Sequence, residues 1–173
     1  TISGLIDFQR NSGLNADGVC GRKTVHMLDV LRRQSGSGPG VASVRENESI
    51  RRTTSLHSLR IVIGQFGGLS SLARSVARAL RQQGATVMST DEYDPAAQAA
   101  AANRFGATIY IGFEAQSNAC ADVAYFAVPS FESVGGRSLG THMVRQIDAA
   151  LPVPATLRGM RLPVLRETRM PAV

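Results

Sequence analysis

Beyond residue 58 the chain alternates between two hydrophobic periods, and this constrains its fold more than any other feature. Leu59-Arg-Ile-Val-Ile63 is a short apolar run rich in β-branched residues, the composition of a buried strand. Residues 69–83 follow with Leu72, Val76, Ala79 and Leu80 at helical spacing, and Gly84 is placed to stop that helix. Residues 85–89 read as a second strand. Asp94-Pro95 then opens an alanine-rich helix, because proline is well tolerated in a first turn, and the helix ends near Gly106. Residues 107–113 and 123–128 read as further strands. Residues 133–151 carry Leu139, Met143, Val144, Ile147 and Leu151 as one helical stripe. Strand–helix–strand–helix–strand order predicts an α/β body, a three-layer fold with a largely parallel twisted sheet flanked by helices.

The glycine- and serine-rich stretch SGSGPG at 35–40 divides this body from what precedes it, and the polar residues to 58 extend the linker. The expected division is a module at 1–34, a linker at 35–58 and a body at 59–173. In the first piece Ile2, Leu5, Ile6 and Phe8 suit one helix, while Val25, Leu28 and Leu31 suit a second. Two short helices bury too little apolar surface alone, so this small all-α N-terminal module needs a third element or must dock on the body.

Composition excludes several classes. With 43% hydrophobic residues in 173, the chain is no polar disordered tail. No apolar run approaches the roughly 20 residues that a membrane helix needs. The opening TISGLIDFQRN does not read as a secretory signal, which leaves the compartment open. Of 19 basic residues all but Lys23 are arginine, and the net charge is +6. These arginines are scattered and aromatics are only 5%, so no nucleic-acid partner is expected. Cys20 and Cys120 have neither metal nor redox spacing and are expected to be free, largely buried thiols.

The N-terminal piece holds FQRNSGL at 8–14, ADGVCGRKT at 16–24 and then Leu28. Glycines there permit tight turns, and Asp17 is suited to cap turn amides. The pattern resembles the second half of the peptidoglycan-binding repeat, on Phe8, Gln9, Gly13, Leu14, Asp17, Gly18, Gly21, Thr24 and Leu28. The repeat's first helix would then precede Thr1.

The body resembles the zinc-dependent N-acetylmuramoyl-L-alanine amidases of the type-3 fold. LRIVIG at 59–64, ARALRQQGATVMST at 77–90, AAQAAAANRFGATIYIGFEAQ at 96–116 and LPVLRETRMPAV at 162–173 carry the likeness. The resemblance implies a His–Glu–His zinc centre with an open position for water and a later catalytic Glu. Here Gly64-Gln65-Phe66 stands where the first His belongs, GGLSSLARSVARAL offers no acid, and Glu114 stands where the last His belongs. The catalytic Glu would fall beyond Val173. His26, His57 and His142 are expected in packing or solvated roles, and the basic-hydroxyl run RRTTS at 51–55 as solvated linker.

No metal ligand or catalytic residue is therefore assigned, and no cofactor is expected; zinc would be the cofactor if the family's activity were retained. Glu114, at a strand's carboxyl end where α/β sheets receive ligands, is the leading ligand-binding candidate, with Gln116 and Arg166. The arrangement resembles an actinobacterial amidase-like protein with altered ligand positions. It implies a catalytically degenerate protein that binds peptidoglycan or its precursors and contacts a cell-wall synthesis enzyme, cytoplasmic if regulatory. The alternative is an active amidase of the cell envelope, seen as a fragment.

Overall fold

The computed structural model describes residues 2–11, 16–25, 28, 55–117, 119–129 and 131–173. The chain divides into two compact units, Thr1–Val41 and Ala42–Val173. In the first, α1 spans Ile2–Asn11, and residues 22–25 form a helical turn. Gly13, Leu14, His26 and the expected linker up to residue 54 lie outside the described residues.

The second unit opens with β1 (Arg60–Phe66), α2 (Ser70–Gln82), β2 (Thr86–Thr90), α3 (Pro95–Phe105) and β3 (Ile109–Glu114). These strands form a parallel three-stranded sheet in the order β2-β1-β3. Central β1 is buried from Ile61 to Gln65, as expected of a strand covered on both faces. Asp94 caps α3 by accepting the amide of Ala96, Pro95 sits in its first turn, and Gly106 ends it with a left-handed φ of 65°. Helix α2 keeps part of the expected stripe, since Val76 and Leu80 pack against the core between it and the sheet. Ala73 and Ala77 are buried, whereas Leu72 is 44% exposed. The small alanine side chains seat this helix close to β1 and β2, and that rotation turns Leu72 outward.

The chain continues with β4 (Ala121–Val128), β5 (Phe131–Glu132), α4 (Val134–Ala150), β6 (Ala155–Met160) and α5 (Pro163–Glu167). Here β4 pairs with β6 in parallel and with β5 antiparallel. The largely parallel sheet expected from the sequence is present as β2-β1-β3, but the strands divide between two three-stranded sheets, the second of mixed sense. The tight connection after Val128 accounts for the antiparallel pair, since a parallel one would need a long crossover. Leu139, Met143, Val144 and Ile147 of α4 pack on the Val123–Tyr125–Val173 core, while Leu151 is half exposed at the helix end. Gly140 permits this approach, because a Cβ there would lie 2.5 Å from Leu157 Cδ1.

After α5 the chain returns beside β3. Tyr110 donates its amide to Pro171 O, Gly112 donates to Val173 O, and Val173 donates to Tyr110 O. Both cysteines are free, but their expected burial is corrected: Cys20 is exposed in the turn after α1, and Cys120 is partly exposed between β3 and β4. Loop positions offer a small apolar side chain little cover.

Candidate functional site

The carboxyl ends of β1, β2 and β3 converge, and a buried polar cluster lies beneath them. Tyr110 donates its hydroxyl to Gln98 Oε1 at 2.6 Å, and Gln98 Nε2 donates to Gln65 O at 3.1 Å and to Glu92 O at 2.5 Å. Gln98 and Tyr110 are fully buried. Burial holds the Tyr110 phenol well above its ordinary pKa, so it stays protonated and remains a donor. Gln65 Oε1 accepts the amide of Leu69, which fixes the turn into α2. One amide side chain therefore ties together the end of β1 and the loop after β2. Gly64 makes this possible, because a Cβ there would overlap both Gln98 Oε1 and the Tyr110 hydroxyl.

Above this cluster Glu114 ends β3 in register with Phe66, exposed, and Gln116 is exposed in the following loop. Asp91, Glu92, Tyr93 and Asp94 follow β2, and Tyr93 is 80% exposed. Glu114 and Gln116 thus share the carboxyl edge of the first sheet. Arg166 does not join them. It is exposed on α5 and donates to neighbouring Glu167 at 2.7 Å. That segment is clamped by Asn103, which donates Nδ2 to Glu167 O at 2.9 Å and accepts the Arg169 amide at 3.0 Å. Asn103 lies in the last turn of α3, where the chain is about to enter β3, so α5 sits toward the amino-terminal end of that strand.

The donor set at the carboxyl edge does not fit a zinc centre. The end of β1 presents Gln65, Phe66 and Gly67, β3 contributes the carboxylate of Glu114, and the loop after β2 adds Asp91, Glu92 and Asp94 but no His or Cys. Among the described residues no three His, Cys, Asp or Glu side chains gather closely enough to hold a metal ion. His57 lies exposed ahead of β1 with its ring over Gly84, and His142 is exposed on α4.

In the N-terminal unit the motif residues form one network. Gln9, 1% exposed, donates Nε2 to Asp17 Oδ1 and to Val19 O, each at 2.9 Å, and to Thr24 Oγ1 at 3.3 Å. Its Oε1 accepts the Gly18 amide at 2.8 Å. Asp17 also accepts the amide of Val19, and these two bonds hold its carboxyl below the usual range. Gly18 adopts φ 71°, a conformation that disfavours a side chain, with Ile2 and Ile6 beside it. Phe8 is half-buried, while Gly21 and Leu28 are exposed.

The polar residues Gln65, Gln98 and Tyr110 were not anticipated as part of the site. Their signal was present: a lone Gln within an alanine-rich helix, and a Tyr in an otherwise apolar strand. Arg137 was also missed. It donates to Glu132 at 2.9 Å, which raises its pKa, and Glu132 in turn accepts the hydroxyl of Tyr125 at 3.3 Å.

Over 208 aligned positions the chain is 30% identical to the N-acetylmuramoyl-L-alanine amidase CwlM of Mycobacterium tuberculosis (strain ATCC 25618 / H37Rv). The alignment takes in all of this chain and 50% of that protein, so the chain spans about half the length of the curated relative it matches. No protein-family model and no solved structure matches it. The likeness supports an amidase-like relationship. Among the described residues no helix is long and apolar enough to cross a membrane.

Proposed function

We propose that this chain is a peptidoglycan-associated protein of amidase-like fold that recognises peptidoglycan or its precursors without hydrolysing them, and serves cell-wall binding or regulation of peptidoglycan synthesis. One observation carries the reading. Where the resemblance calls for histidine at the carboxyl ends of the first and third strands, the chain has Gln65-Phe66 and Glu114. Three strong, correctly placed donors are the minimum for a catalytic zinc, and at the positions the resemblance assigns Glu114 alone falls well short of that. Glu114 and Gln116 are then hydrogen-bonding groups for a ligand's amide or hydroxyl groups. The polar cluster under Gly64 has a supporting part, since it fixes the loops that border them. Regulation would act through contact with a cell-wall synthesis enzyme.

The test is zinc content together with muramoyl-peptide cleavage on the full-length protein, alongside binding of soluble muropeptides. Binding without stoichiometric zinc or turnover is expected, and loss of binding in Glu114→Ala would locate the site. Stoichiometric zinc with turnover would establish instead the second reading, an active zinc amidase. The name carried by the aligned relative favours that alternative.

A further inference from the structure

The outward face of α2 carries charge that no ion pair among the described residues balances. Arg74, Arg78 and Arg81 occur at i, i+4 and i+7 on the helix, which contains no acidic residue. Residues one turn apart face each other, so Arg74 and Arg78 repel. Arg81 has a structural partner: it donates to Val87 O of β2 at 2.7 Å, which places the arginine row along the outer side of the sheet. There β2 is the edge strand and carries no charge between Thr86 and Thr90. The ion pairs of Asp122, Glu132 and Glu167 are made with Arg158, Arg137 and Arg166, not with Arg74 or Arg78. Asp91, just beyond β2, makes no ion pair with either. The start of α2 adds positive character, because Leu69 offers no side-chain cap and the first turn has no acid. Exposed Ser71, Ser75 and Gln82 complete a polar, cationic face about 20 Å long.

We propose that this face of α2 docks an acidic protein segment, whose carboxylates are taken by the forked guanidinium groups of Arg74 and Arg78. Arginine suits carboxylate recognition because its planar fork makes two parallel hydrogen bonds. A lipid surface fits poorly, since an interfacial helix must bury an apolar face and α2 has already buried Ala73 and Ala77 against the sheet. A nucleic acid fits poorly too, because the face has no aromatic side chain on which a base would stack.

The whole chain would be titrated by fluorescence anisotropy into a fluorescein-labelled, alanine-based helical peptide with glutamates at i, i+4 spacing. The same peptide with glutamines serves as control. Binding of the glutamate peptide that weakens with salt is expected, reduced about tenfold or more in R74Q/R78Q. The charge-matched variant R145Q/R161Q should change it less than about twofold, and circular dichroism melts confirm that both variants are folded. Equal weakening in the two double variants would reduce the effect to net charge and overturn the proposal. So would absence of peptide binding, or tighter binding through Arg74 and Arg78 to phosphatidylglycerol vesicles or to a single-stranded oligonucleotide.

Discussion

Gly64→Ala tests the packing that organises the carboxyl edge. The added Cβ would fall under 3.0 Å from the facing polar atoms of Gln98 and Tyr110, and would lie 3.0 Å from Tyr110 Cζ. These are side chains without room to retreat, since both residues are 0% exposed and Gln98 is held by three hydrogen bonds. Separating the pair leaves a buried acceptor without its donor, at about 1–3 kcal/mol. Overpacking adds about 1–3 kcal/mol. The expected loss of roughly 2–6 kcal/mol is a large fraction of a typical domain's 5–15 kcal/mol. The chain has no Trp, so urea unfolding would be followed by far-UV circular dichroism. Gln98→Ala removes the nearest clashing atom, and Gly64→Ala made in that background should cost less by more than about 1 kcal/mol. Strictly additive costs, or a loss below about 0.5 kcal/mol for Gly64→Ala alone, would refute the reasoning.

Four further outcomes follow. Tyr110 should resist ionisation in a spectrophotometric titration; because burial holds its folded pKa above its unfolded value of about 10, stability should fall as pH rises past 10. Ionisation of Tyr110 near its unfolded value of about 10 would contradict its burial. Asp17 has the opposite sign: its pKa is lowered from 3.8, so its contribution is present above that value and is lost as pH falls through the folded pKa. An NMR midpoint at or above 3.8 would contradict this. Gln9→Ala should disorder the turn after α1, seen as lost protection of the Gly18 amide, because it removes one acceptor and a donor shared among three groups. Asn103→Ala should cost about 1–3 kcal/mol and speed amide exchange at Arg169, where unchanged exchange would show that the clamp is dispensable.

Much of the fold was legible because it rests on local rules. Asp94-Pro95 and Gly106 mark the two ends of α3 by cap chemistry that needs no distant partner. The apolar run of β1 identifies a strand buried on both faces. Strand β6 was not anticipated, because ATLRGM has no β-branched apolar residue and gains its order from pairing with β4. In the α2 stripe Val76 and Leu80 do pack on the core, whereas Leu72 and Ala79 are exposed and Ala73 and Ala77 are buried instead, since periodicity shows that a helix is amphipathic but not which neighbours approach closely enough to favour alanine over leucine.

The alternation of strands and helices, the punctuation between them, and the residue types at the expected ligand positions could all be read from the order of residues. Those are properties of adjacent residues, set by backbone sterics and side-chain chemistry. Only the tertiary structure decided that the strands form two sheets, and that Gln65, Gln98 and Tyr110 meet beneath Gly64. It alone put Glu114 and Gln116 at the carboxyl edge while Asn103 holds Arg166's segment toward the opposite end. Each of these depends on residues far apart in the chain, and burial turns such encounters into obligatory hydrogen bonds. No local pattern encodes which partner a buried amide will find.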